Sequence, residues 1–127
     1  MPTTMAQCIT CTKDGAPIAG VVYDNYNTVS ISAHIWIAHA AVPSRQWYAA
    51  IFDYPFNRLG LHKIIGQVAS GNPEAISLDT HFGFVEEGRI KDFSPDGDLI
   101  MYTMTKEQCR ILNNPRWERV VNIVKAA

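Results

Sequence analysis

The chain has 127 residues, of which 47% are hydrophobic, 10% aromatic and 18% charged. This length and composition predict one globular domain, residues 1–127, with a single hydrophobic core. Eleven lysines and arginines against twelve aspartates and glutamates leave a net charge of −1. That balance excludes a general nucleic-acid binder, because phosphate binding needs a basic excess or a basic stripe. No hydrophobic run approaches the ~20 residues of a membrane span, and the first residues lack a secretory signal. We therefore expect a soluble, cytoplasmic protein that binds neither nucleic acid nor membrane.

The first half of the chain predicts three strands. Residues 5–13 alternate in character and end at the turn residues Asp14 and Gly15. Residues 16–26 are rich in Val, Ile and Tyr, and residues 29–38 alternate most clearly. In that third strand His34 and Trp36 share one face, opposite the aliphatic residues. The short links between the strands indicate an antiparallel meander.

The second half alternates helices with strands. Ser44 is a good N-cap for a helix that should run to Tyr54 and stop at Pro55. Residues 62–69 are hydrophobic on both faces, as central strands are. The next helix has the clearest ends, with Asn72 as N-cap and Gly83 after the last turn.

Two further strands and two helices complete the chain. The strands cover 84–93 and 98–104, and a capping box of Thr105 and Gln108 opens a helix to about Asn113. Residues 116–125 place Trp117 and three valines on one helical face, which indicates core packing or a dimer contact. The order βββ-α-β-α-ββ-α-α predicts an α+β protein, a mixed sheet with flanking helices.

A family resemblance is carried by residues 54–104. The run Tyr54-Pro-Phe-Asn-Arg-Leu-Gly-Leu-His-Lys-Ile64, the segment Asn72-Pro-Glu-Ala75 and the segment Gly83-Phe84-x-Glu86-Glu87-Gly88 resemble, as a set, the GNAT superfamily of acyl-CoA N-acyltransferases. The upstream run Ile18-Ala-Gly-Val-Val-Tyr23 is similar to the strand that precedes the cofactor strand in that family. The resemblance covers about residues 16–112 and is greatest to small phage-borne members.

The resemblance implies a binding site for acetyl-CoA or CoA. In this family two neighbouring parallel strands separate, here residues 29–38 and 62–69, and the pantetheine arm lies between them. The pyrophosphate would lie at the following helix N-terminus, where free N–H groups and the helix dipole favour anions. The implied cofactor-binding residues are Trp36, Ile37, Val42, Ser44, Arg45, Gln46, Trp47 and Asn72. Residues 42–47 lack the usual glycines, and Arg45 is equally explained as a surface arginine.

Three residues are candidates for the catalytic chemistry. Asp79 stands where many members of the family have a tyrosine that acts as general acid; as a residue on a solvated helix face, it is expected to be ionised and unable to donate. Glu86 is a candidate base acting through water, with a salt bridge to Arg89 or Lys91 as the alternative. His34 is either such a catalytic group or a residue of the sheet surface.

The cysteines give no firm indication of a metal site. Cys8 and Cys11 form a CxxC pair, but no second pair exists and Cys109 stands alone. The pair lies in a strand pattern rather than at a helix start, so a redox site is also disfavoured. We predict free thiols and no metal.

The sequence therefore predicts an N-acyltransferase that moves acetyl from acetyl-CoA to a primary amine on a small molecule or a protein. The alternative is a non-catalytic binding or assembly module with the same fold. The two early helices usual in the family have no counterpart, which would leave hydrophobic sheet surface uncovered. We therefore expect a homodimer.

Overall fold

A computed structural model describes residues 7–126 and shows an α+β protein built on one six-stranded mixed sheet. The strands are β1 (Gln7–Lys13), β2 (Ala16–Asp24), β3 (Ser30–Ile37), β4 (Lys63–Ala69), β5 (Val85–Ser94) and β6 (Gly97–Thr105), arranged β1-β2-β3-β4-β6-β5. The helices are α1 (Arg45–Asp53), α2 (Pro73–Phe82), α3 (Arg110–Asn113) and α4 (Glu118–Ala126). The predicted fold class and element order are confirmed. Residues 5 and 6 of the first predicted strand lie outside the described residues.

The meander formed by β1, β2 and β3 is antiparallel throughout. Asp14 and Gly15 have φ of +53° and +81°, which suits the tight turn of a two-residue hairpin. The chain passes from β1 to β2 through this turn alone, so the two early helices are missing from this position as predicted.

One predicted helix end is wrong. The chain does not leave its helical path at Pro55 but continues as a π-helical turn over Tyr54–Arg58. Asp53 is buried and accepts hydrogen bonds from Asn57 Nδ2 at 2.8 Å and Arg58 Nε at 3.1 Å. These contacts hold the wider turn, in which the missing N–H of Pro55 is tolerated.

The hydrophobic core lies between one face of the sheet and the helices. Tyr23 of β2 donates a hydrogen bond to the Ile51 carbonyl of α1, and the Phe52 and Phe82 rings of α1 and α2 lie 5.1 Å apart. Helix α4 packs along α1 with Val121 buried. The hydrophobic stripe of α4 is therefore core packing, the first of its two interpretations.

The opposite face of the sheet is not covered by any helix of the described residues. Val22, Trp36, Val85 and Ile90 of this face are between 36% and 52% exposed. The hydrophobic surface expected along the second and third strands is thus present. No helix within residues 7–126 is long and hydrophobic enough to cross a bilayer.

Candidate active site

Strands β3 and β4 are paired at one end and separate at the other. Their parallel pairing involves only Ser30–Ser32 with Lys63–Ile65. Beyond that point β3 stays with β2 as far as Ile37, and β4 stays with β6 as far as Ala69. Each strand is held by its outer neighbour, so the sheet opens into a cleft where the family resemblance predicted one.

Both edges of the cleft present unpaired backbone groups. Ala38 N–H donates to the Ile18 carbonyl at 2.8 Å. Because such pairs alternate along an antiparallel ladder, Trp36 bonds to β2 whereas Ile35 and Ile37 point their N–H and C=O into the cleft. Across the cleft, Ser70 N–H donates to the Asp98 carbonyl at 2.8 Å. By the same alternation, Gln67 turns its N–H and C=O toward the cleft, and Ala69 turns its N–H there. The Ala69 carbonyl is engaged, because it accepts from Asn72 N–H at 3.0 Å.

Two adjoining cavities continue the cleft toward the N-terminus of α2. The inner one, of about 200 Å³, lies between the separated strand ends and is lined by residues that include His34, Gly66 and Asp79. The outer one, of about 430 Å³, follows residues 35–41. Ile35, Asn72, Ala75 and Leu78 line both. Together they form an open groove with strand edges at one end and a helix N-terminus at the other.

The Asp79 carboxyl faces the inner cavity, and its predicted exposure is wrong. The residue is only 7% exposed, and burial raises the pKa of this carboxyl from 3.8 to about 6. A Cβ on Gly66 would lie 3.2 Å from Asp79 Oδ2, so the glycine makes room for the carboxyl. Among residues 7–126 no hydrogen bond or ion pair to this group is found. An aspartate in this setting is able to carry a proton near neutral pH.

His34 lines the same cavity from the uncovered face of the sheet. Its Nε2 lies 3.1 and 3.2 Å from the two carboxylate oxygens of Asp24 on β2. Both side chains are about half exposed. His34 is thus a surface residue of the sheet, as one interpretation held, and it also reaches the cleft.

Trp36 and Asn72 border the groove as well. The Trp36 indole lies over Gly20 of β2, where an added Cβ would come within 2.6 Å of its Nε1. Asn72 Oδ1 accepts from Ala75 N–H at 3.2 Å, so the N-cap predicted for α2 is confirmed while its side chain remains at the groove.

The start of α1 is arranged differently from the predicted phosphate site. Ser44 caps the helix by accepting from Trp47 N–H at 3.2 Å. The Arg45 guanidinium lies 4.5 Å from the centre of the Trp117 ring and donates to the Arg116 carbonyl at 2.8 Å. Trp47 is buried and donates from Nε1 to the Ile9 carbonyl at 3.1 Å.

Two more predicted phosphate contacts lie outside the groove. Gln46 lines a separate cavity beside Ile123, and Val42 is 83% exposed without lining the groove. Core packing and the C-terminal segment therefore hold the side chains at the start of α1 away from it.

Sequence reasoning missed the loop that precedes α1. His39, Ala40 and Ala41 line the outer cavity, and Ala40 has φ of +59°, a left-handed conformation that favours glycine. The loop thus makes a glycine-like turn without a glycine. A histidine followed by small residues, directly after the cleft strand, was the signal available.

Glu86 lies away from the cleft. It belongs to β5 at the sheet edge, opposite Tyr102 of β6, and its carboxylate pairs with Arg89 at 2.9 Å. The geometry of Glu86 therefore matches a salt bridge with Arg89 rather than a catalytic base. Glu87 points to the other face and pairs with Lys63 and Thr103.

The cysteines do not take part in the groove. Cys8, Cys11 and Cys109 are free thiols, and burial raises the pKa of Cys109 to about 11. Within residues 7–126 no three His, Cys, Asp or Glu side chains are grouped as a metal site would require.

Comparison with known proteins gives a consistent set of matches. The spermidine N(1)-acetyltransferase of Vibrio cholerae is 53% identical over 38 residues, 30% of this chain and 22% of that enzyme. The matched segment thus spans less than a quarter of this curated relative. No protein-family model matches the chain.

Solved structures of the Vibrio cholerae spermidine N-acetyltransferase SpeG match over most of the chain. Its complex with CoA and spermine gives a TM-score of 0.69 at 25% identity, over 83% of this chain and 68% of that one. Its dodecameric form in an intermediate state gives 0.70 at 26% identity, over 88% and 70%. The F149A mutant gives 0.71 at 27% identity, over 87% and 70%. The resemblance to the GNAT superfamily is therefore confirmed, and the chain has the α+β fold of its N-acetyltransferases.

Proposed function

We propose that the chain is an N-acetyltransferase that uses acetyl-CoA and a primary amine. The observation that carries this proposal is the cleft between β3 and β4, where two unpaired strand edges lead to a buried carboxyl. The likeness to spermidine N-acetyltransferases, one of them solved with CoA, supports the same activity.

The groove suits the pantetheine arm of CoA, whose amide groups need backbone partners. Ile35 and Ile37 would offer these on one edge, and Gln67 on the other. Asn72 borders the path outward, and the loop with His39 lies at the groove's outer end, where the phosphates would lie. Bound acetyl-CoA supplies the acyl group as a thioester.

Residues of the cleft have two tasks in the transfer. The backbone N–H of Ile37, with that of Ile35, is placed to stabilise negative charge on the acyl oxygen. The N–H of Trp36 is engaged with β2 and takes no part. The Asp79 carboxyl, with a pKa of about 6, keeps its proton in about one tenth of the molecules at pH 7 and gives it to the departing sulfur.

The acceptor would be a small amine or an amine of a protein. Since the structurally similar enzyme was solved with spermine, polyamines are the first acceptors to assay. We also propose a homodimer, because the uncovered face around Val22, Trp36 and Ile90 is hydrophobic, and a cytoplasmic location.

A non-catalytic binding module is the second candidate. It is favoured by the uncovered face itself, because the segment from β1 to β2 is only a two-residue turn and supplies no wall for an acceptor. The cleft would then bind CoA without transferring the acyl group.

Acetyl-CoA titration followed by thermal unfolding tests the proposal. Ligand at 100 times its Kd stabilises a native state by about 2.7 kcal/mol, which should raise the melting temperature. Gly66→Val is the matched variant, since its side chain would fill the inner cavity and should abolish the shift. Gly88→Val, a glycine with open space around its Cβ position, is the control that should keep it.

Turnover then separates the two candidates. Release of free thiol from acetyl-CoA in the presence of spermidine, spermine or simple primary amines supports the transferase. A thermal shift without thiol release over this panel supports the binding module. No shift at millimolar acetyl-CoA contradicts both.

A further inference from the structure

The His34–Asp24 pair has no structural task that its surroundings require. Both groups are about half exposed on the uncovered face, where water would satisfy them equally well. Yet two strands hold them within hydrogen-bond distance at the point where β3 leaves β4. An ordered imidazole at the mouth of a reactive cleft points to proton transfer.

Resting on the proposed function, we propose that His34 accepts the proton of the incoming amine and that Asp24 is the positioning residue for its ring. A carboxylate only accepts hydrogen bonds, so the Nε2 facing Asp24 carries the hydrogen and Nδ1 is left as the basic nitrogen. The carboxylate also stabilises the imidazolium that forms.

The two sides of the cleft then hold different groups. Asp79 reaches the inner cavity from the helix-covered face, and His34 reaches it from the uncovered face. An amine entering from the uncovered face would meet His34 first, while the sulfur would lie toward Asp79. This division separates the group that takes a proton from the one that gives it.

Few other charged groups face His34. On β2 the charged neighbour is Asp24; on β4 it is Lys63, which is paired with Glu87 of β5. Asp79 is the charged residue of α2 that lines the same cavity, and β3 itself carries no other charge. Asp24 is therefore the charged group that acts most directly on the His34 ring.

The protons balance as follows. A primary amine arrives as an ammonium ion at neutral pH, and His34 takes one proton from it and passes it to water. The nitrogen lone pair forms the C–N bond, and the C–S bond breaks with its electron pair going to sulfur. The nitrogen sheds its second proton through His34 to water, while Asp79 protonates the sulfur and is reprotonated from water. The products are an amide, a thiol and one released proton.

Steady-state pH profiles of four proteins test this inference, with His81→Gln as the control for a distant exposed histidine. His34→Gln should lower kcat at pH 7 by about 100-fold or more, with part of the rate regained toward pH 9, where more amine is already neutral. Asp24→Asn should lower kcat/KM for the amine about tenfold, because the His34 ring is then no longer held in the tautomer that leaves Nδ1 basic. His81→Gln should match the wild type.

Two further readouts distinguish a positioning role from a structural one. The thermal shift by acetyl-CoA should be the same in all four proteins. The imidazole ¹⁵N chemical shifts of neutral His34 should show the hydrogen on Nε2 in the wild type and a mixture of the two tautomers in Asp24→Asn, without any substrate. Wild-type turnover with unchanged profiles in His34→Gln and Asp24→Asn would overturn this inference alone. A wild type without turnover would overturn the proposed function and this inference with it, whatever the ¹⁵N shifts show.

Discussion

Strands β3 and β4 are hydrogen-bonded to each other in their first half and separated in their second half, and the two halves have different roles. In the first half, Ile31 and Ile64 face the core with exposures of 0% and 1%, and the strands are hydrogen-bonded. In the second half the strands separate, Gly66 leaves space where a side chain would stand, and the Asp79 carboxyl is buried without a hydrogen-bond or ion-pair partner among residues 7–126. Apolar burial stabilises the paired half, which we call the closed half. The separated half, the open half, lacks backbone pairing between β3 and β4 and is less stable, but it forms the cleft. Functional sites commonly carry such a cost.

The largest effect is expected in the closed half. Ile31→Ala should lower the free energy of unfolding by about 2–4 kcal/mol, because it leaves a cavity in a packed core. Ile31→Val, which removes one methyl group, should cost about 1 kcal/mol. Urea denaturation measures both. The Kd for acetyl-CoA should change less than twofold in either variant, and a parallel loss of affinity would mean that the two halves are not separable.

The next largest effect is expected at Asp79 in the open half, where a substitution should raise the free energy of unfolding rather than lower it. The folded-state pKa of Asp79, about 6, exceeds the unfolded value near 3.9, so the folded chain binds more protons between these values. Stability from this group is complete below pH 4 and is lost as pH rises through 6. Asp79→Asn should therefore raise the free energy of unfolding at pH 7.5 by on the order of 2–3 kcal/mol.

Urea denaturation from pH 4 to pH 8 checks this sign. The gain from Asp79→Asn should vanish near pH 4, where the wild-type carboxyl is protonated. Asp14→Asn, in the exposed hairpin turn, should show little change at either pH. An equal gain in the free energy of unfolding at pH 4 and at pH 8 would show that the negative charge of Asp79 is not the cause of the gain.

A smaller effect on stability is expected at Arg45, and it tests whether the cofactor site extends from the cleft to the start of α1. Arg45→Ala should cost about 1 kcal/mol of stability, since it removes an exposed cation–π contact with Trp117. The affinity for acetyl-CoA should not change. If Arg45→Glu weakens acetyl-CoA binding far more than it weakens folding, the phosphate role inferred from the family resemblance holds and the site reaches α1.

The smallest effect is expected in the loop between the groove and α1. Ala40→Gly should raise stability by a few tenths to about 1 kcal/mol, because glycine adopts a positive φ without steric cost. Thermal unfolding measures it. Ala41→Gly, at a position without a positive φ, should give no gain, and a gain there would point to a general loosening of the loop.

Features with local signals could be predicted from the sequence. The ends of α2 follow from Asn72, Pro73 and Gly83, each of which acts within one turn of the helix. The meander follows from alternation and a turn dipeptide. The separation of the third and fourth strands came from the family resemblance, since nothing in the alternation of residues 29–38 shows where pairing stops.

Features that depend on distant residues could not be predicted. The pairing of Arg45 joins residues 71 apart in sequence, and the turn after Pro55 depends on a buried Asp53. The burial of Asp79 depends on Gly66 of a neighbouring strand. A glycine inside a strand does signal close approach by another group, but the sequence does not name which group. The His34–Asp24 contact required the register of β2 and β3.

The indole of Trp36 gives the chain an optical reporter at its groove. The three tryptophans occupy distinct environments: Trp36 is 44% exposed beside the outer cavity, Trp47 is 4% exposed in the core, and Trp117 packs against Tyr48 and Arg45. The solvent-facing part of the emission therefore comes mainly from Trp36, which Gly20 leaves room to lie flat on the sheet. Quenching by iodide should reach this ring first, and a molecule seated in the groove should shield it.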